Sequence, residues 1–97
     1  MALKNKDYEA LDLLQEECAE VIQTVSKIRR FGLDSYHPED TSKRTNIQLL
    51  EDEIGDTLLI IEILIENGVI DEDAIASRIE SKRAKLMKYT NLFNESE

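Results

Sequence analysis

The sequence predicts an all-α protein, a helical bundle of three main helices per chain completed by oligomerisation. Three observations predict it. Apolar residues recur every three or four positions through most of the 97 residues, and no alternating apolar-polar run suggests a strand. The one proline and two of the three glycines fall between the periodic runs rather than inside them. The middle run is apolar around nearly its whole circumference, which is more surface than two companion helices of one chain can cover.

The first helix is expected from about Asp7 to Arg30, where Leu11, Leu14, Cys18, Val21, Val25 and Ile28 form one narrow stripe. Gly32 is placed to cap its end. Gly32 to Ser42, with Pro38 and no apolar period, reads as a loop and as the most mobile part of the chain. A second helix begins between Thr41 and Asn46, where Thr45-Asn46-Ile47-Gln48 offers a capping box, and runs to Asn67 with Gly68 as its stop. Its main stripe is Ile47, Leu50, Ile54, Leu58, Ile61 and Ile65, and Leu49, Leu59, Ile60, Ile63 and Leu64 make a second apolar side. Asp71 is the expected N-cap of a third helix, with Glu72 and Asp73 in the dipole-favoured first turn and Ile75, Ile79, Leu86 and Tyr89 along its apolar face. Leu92 and Phe93 are expected to dock, and the residues beyond them to fray. Residues 1–97 read as a single domain.

Lys and Arg total 12 against 21 Asp and Glu, a formal charge of -9, which disfavours nucleic acid and anionic membrane as partners. Cys18 is the only cysteine and His37 the only histidine, so disulfide frameworks, thiolate zinc sites and Cys-His catalysis drop out. Cys18 is expected in the core. No apolar run approaches the ~20 residues of a membrane span, and the N-terminus lacks a signal-peptide pattern, so a cytoplasmic location is expected.

Two acidic clusters carry the chemistry, Glu16-Glu17-x-x-Glu20 and Glu53-x-x-Asp56. Side chains three apart share a helix face. Glu53 and Asp56 fall at about -100° and -160° from Ile54, on the side of Leu49 and Ile60, so these acids are embedded in an apolar face. Carboxylates converging from two helices repel one another unless a hard cation sits among them, and an all-oxygen set without imidazole or thiolate points to Mg²⁺, with Mn²⁺ as a substitute. Counting across the Gly68 turn, Asp56 lies twelve residues before Gly68 and Arg83 twelve after Asp71. A hairpin there would carry Lys82 and Arg83 past the acids, where they could meet phosphate oxygens.

The order Glu16-Glu17-x-x-Glu20, a loop, then Glu53-Ile54-Gly55-Asp56 and an apolar run resembles the small single-domain, phage-type members of the MazG-like all-α nucleoside triphosphate pyrophosphohydrolases. The resemblance covers about residues 10 to 90. It implies that Glu17, Glu20, Glu53 and Asp56 hold Mg²⁺, that Glu16 or Glu20 accepts a proton from the attacking water, and that a nucleoside triphosphate is cut between its α and β phosphates. It also implies a homodimer or homotetramer. Lys27, Arg30, Arg44, Lys82 and Arg83 are the candidate phosphate contacts, and Asn46 a candidate contact to base or sugar. Tyr36, His37 and Phe31 are the available stacking groups, with Phe31 expected to pack instead. Two alternatives accompany this reading: hydrolysis of a phosphoribosyl-ATP-type pyrophosphate bond on the same scaffold, and a non-enzymatic helical oligomerisation module.

Overall fold

The computed structural model describes residues 2–94 and consists of α1 (Asn5–Phe31), α2 (Asn46–Glu66) and α3 (Glu72–Tyr89). There is no strand among the described residues. The caps follow local chemistry. Asp7, in the first turn of α1, accepts a hydrogen bond from the Lys4 backbone N–H at 2.9 Å. At α2 the Thr45 hydroxyl accepts from Gln48 N–H (3.3 Å) while the Gln48 side chain accepts from Thr45 N–H (3.0 Å), the expected capping box. Asp71 caps α3 by accepting from Ala74 N–H at 2.9 Å.

α1 and α2 form an antiparallel hairpin, the one extensive helix pairing among the described residues. Its seam follows a seven-residue period: Asp7, Ala10, Leu14, Glu17, Val21, Thr24 and Ile28 face Asn46, Leu50, Glu53, Thr57, Ile60, Leu64 and Asn67, and each of these is buried or half-buried. Ala10, Ile60 and Leu64 are its apolar centre, supported by Leu11, Leu14 and Ile63. The open end is closed by backbone bonds from Asn46 to Ser35 and from Ile47 to Leu33, and by the buried Asn46 amide, which donates to Gly32 O at 2.9 Å.

This seam coincides only in part with the one the apolar stripes suggested. The polar residues Asp7, Glu17, Thr24, Glu53 and Thr57 hold seam positions, whereas Val25, Ile54 and Leu58 of the expected stripes are exposed, and so is Cys18, which is not a core residue. Leu14, Val21, Ile28 and Leu50 of the expected stripes do lie in the seam, so hydrophobicity marked it only in part: the seam is rotated toward the acids because it carries carboxylates at mid-height.

The expected α2–α3 hairpin does not form within the chain. Gly68, at φ +73°, turns the backbone after α2, and α3 leaves the pair without burying any residue. Neither Leu92 nor Phe93 docks into a core: both are exposed, Phe93 lining an open groove of α3 beside Leu86, with the Arg83 guanidinium 5.6 Å from its ring centre. The expectation of fraying past Phe93 falls largely on residues 95–97, outside the described residues.

Candidate metal centre

Glu17 and Glu53 face each other at mid-seam, and Glu20 stands one turn along from Glu17. Each offers an oxygen lying within 4.8 Å of the others. The seam explains why they meet: Glu17 is flanked by Leu14 and Val21, Glu53 by Leu50 and Thr57, so seam packing above and below turns both carboxylates inward.

The geometry leaves these groups short of donors. Glu17 Oε2 and Glu53 Oε2 are buried with no hydrogen-bond partner. The two nearest seam hydroxyls are committed elsewhere, Thr24 donating to Glu20 O (3.0 Å) and Thr57 to Glu53 O (2.8 Å), each back to the carbonyl one turn earlier. A buried carboxylate oxygen without a donor is costly, so this cluster needs either a proton or a cation.

Crowding favours the proton. Contact with the Glu20 carboxyl, where a shared proton makes the hydrogen bond, pushes Glu53 up to about 7, helped by burial and by the charges of Glu20, Glu17 and Asp56. Glu17 is raised as well, by loss of water first, then by the charges of Glu20 and Asp56. Carboxylates crowded together in this way, with two of them pushed toward the protonated form, are the donors a hard cation selects. Oxygens bound at ~2.0–2.1 Å to Mg²⁺ lie about 3–4 Å apart, within the spread seen here, so the residues fit such an ion.

The other sequence candidates distribute unevenly. Asp56 is exposed at the rim, near enough to raise both glutamates but outside the group of three. Glu16 is exposed and acts on Glu17 only by its charge. With the seam residues facing one another, Glu20 and Asp56 both lie about 60° to one side, so the centre opens on one face of the hairpin. On that same side Lys27, Phe31, Tyr36, His37, Asn46 and Leu49 line a cavity of ≈ 370 Å³, about one helical turn beyond Glu53 on α2 and two beyond Glu20 on α1.

Phe31 is therefore not packed in the core. It is 62% exposed, with the Arg30 guanidinium 5.4 Å from its ring centre. Arg44 is held by Asp52 at 2.7 Å and donates to Gln48 O, so it braces the start of α2. Lys82 and Arg83, expected beside the acids, instead flank the apolar groove of α3 with Arg78, because α3 does not fold back on α2. The cavity around Tyr36 was not legible as a unit in the sequence, since the Asn46 to Gly32 bond that closes it joins residues 14 apart without any local pattern.

Comparison with protein-family models, curated proteins and solved structures gives no match for this chain. No helix among the described residues is long and apolar enough to cross a membrane.

Proposed function

We propose that this chain is a Mg²⁺-dependent nucleoside triphosphate pyrophosphohydrolase, cutting the α–β phosphate bond to give a monophosphate and pyrophosphate. The observation that carries the reading is the half-buried triad Glu17, Glu20 and Glu53, with one shielded, donorless oxygen on each of Glu17 and Glu53, opening onto the face that also bears a cation and an aromatic-lined cavity. The triad holds the ion, and Asp56 at the rim completes its shell or orients a water. A bound Mg²⁺ supplies charge withdrawal from the phosphates and a more acidic water.

The chain's own residues do the rest. Lys27 presents its ammonium to the phosphates between the triad and the cavity. Tyr36 and Phe31 offer ring faces to a base, and the buried Asn46, fixed through Gly32, holds the cavity wall. His37 Nδ1 accepts from Glu39 N–H at 3.1 Å, which leaves Nε2–H as the donor toward a ligand. Glu16, exposed beside the triad, takes the proton of the attacking water, with Glu20 the alternative base. The working unit is a homo-oligomer of two or four copies, a reading supported by the exposed apolar residues of α1 and α2.

The test is a panel of canonical and modified NTPs and dNTPs incubated with Mg²⁺, with pyrophosphate assayed and products weighed by mass spectrometry. Pyrophosphate from a subset of the panel is expected. Release from none of them overturns the proposal, and turnover of phosphoribosyl-ATP alone moves the chain to that neighbouring reaction.

A further inference from the structure

Two apolar surfaces of the chain lie uncovered. One is a groove on the hairpin face opposite the acids, lined by Cys18, Val21 and Ile22 of α1 and Ile54, Thr57 and Leu58 of α2. Relative to the seam, Cys18, Ile22, Ile54 and Leu58 lie about 100–140° to the side away from Glu20 and Asp56. The other is the face of α3 with Ile75, Ile79, Leu86 and Phe93. An 18-residue helix that buries none of its residues has little to hold it in water.

The dimensions say how much is missing. The chain spans 46 × 39 × 15 Å with a radius of gyration of 16.9 Å, against about 13 Å for a closed domain of this length. Its surface is 7974 Å², whereas a monomer of this mass exposes about 5,700 Å², an excess of about 2,300 Å² per chain. Two chains would hide about 4,600 Å², within the ~2,000–5,000 Å² of obligate homodimers.

Charge decides the arrangement. α2 carries six acids and no cation, and Ile75 to Lys88 of α3 carries five cations and one acid. Pairing α3 with a second α3 would set cations against cations and leave the hairpin groove bare. Pairing groove with groove would bring two acidic hairpins together and leave α3 bare. Laying α3 in the groove of another copy covers both surfaces and brings opposite charges together.

We propose that two copies of the chain exchange their α3 helices, the apolar face of each lying in the Cys18–Leu58 groove of the other. The exchange is self-complementary and closes as a two-fold dimer. Arg78, Lys82 and Arg83 then face the acidic α2 of the second copy, and the acid centre, on the opposite hairpin face, stays open to ligand. The exchange stands on shape, area and charge and does not rest on the pyrophosphohydrolase reading.

Cys18, the only cysteine, supplies the test. Ile75→Cys, Ile79→Cys and Leu86→Cys chains, each intact otherwise, are oxidised mildly and run on non-reducing gels, with sedimentation of the wild-type chain alongside. At least one variant is expected to give a covalent dimer that disappears when Cys18→Ser is added, and the wild-type chain is expected to sediment as a dimer or larger assembly. A monomer in sedimentation, covalent dimers that persist without Cys18, an intramolecular bond, a Cys18–Cys18 link in the wild type, or a dimer giving no Cys18-dependent bond at any of the three positions would each overturn the exchange. Glu53→Gln is expected to leave the cross-link unchanged, which separates this outcome from that of the catalytic reading.

Discussion

Glu53 occupies a position that the helix pair would otherwise fill with an aliphatic side chain, and its neighbours at that level are Glu17 and Glu20. Its value rises from 4.5 to about 7 in the fold, so the native state binds more protons than the unfolded chain across that interval. The contribution is present in full below about pH 4.5 and is lost as pH rises through about 7. Metal-free protein should therefore lose stability over that window, and added Mg²⁺ should restore it most at the alkaline end; urea melts at pH 5 and pH 8, with chelator or with Mg²⁺, check both halves. Glu53→Gln should melt higher than the wild type at pH 8 without metal and lose the Mg²⁺-induced gain. Its pyrophosphate release should fall by more than the ~10–100-fold typical of an outer-shell partner. Asp56→Asn, exposed at the rim, should cost less on both measures.

Within the elements, the site depends on the junction of α1, the loop and α2. Asn46 is 5% exposed, and its amide bond to Gly32 O ties the end of one helix to the start of the other. Asn46→Ala should cost ~1–3 kcal/mol, because it leaves a carbonyl without its donor, and should weaken nucleotide binding by loosening the cavity wall. Denaturant midpoints and titration of a monophosphate in chelator read the two effects separately. Gly32 lies at φ +94° and ψ 165°, a region open almost solely to glycine, and a Cβ there would meet no atom within 4 Å. Gly32→Ala should thus cost ~1–3 kcal/mol through backbone strain alone, without a packing clash.

The whole molecule is a hairpin with two unlike faces and a detached arm, and its apolar centre is the small group Ala10, Ile60 and Leu64. So little burial does not hold a chain of 97 residues against its own conformational entropy. Folding and association should be one event, and the melting temperature should rise with protein concentration; calorimetry over a hundredfold dilution series checks this. Lys82→Glu with Arg83→Glu should shift that series toward the monomer at low salt. The shift should shrink as ionic strength is raised and the charges are screened.

The sequence by itself determined the helices, because periodicity, Thr45, Asp71 and the glycines act within one or two turns. Of the four carboxylates it brought together, helical spacing and a short hairpin placed Glu17, Glu20 and Glu53 within reach of one another, while Asp56 stands outside at the rim. Only the tertiary structure decided which stripe packs inside the chain. Burial energy does not record whose surface does the covering, so the two stripes looked like one internal seam, and while Leu14, Val21, Ile28 and Leu50 packed inside, Cys18, Val25, Ile54 and Leu58 proved to lie on the open side. The same ambiguity put Lys82 and Arg83 beside the acids: a residue count across Gly68 fixes how far α3 reaches, whereas its direction is set by the backbone turn that carries it away from the hairpin.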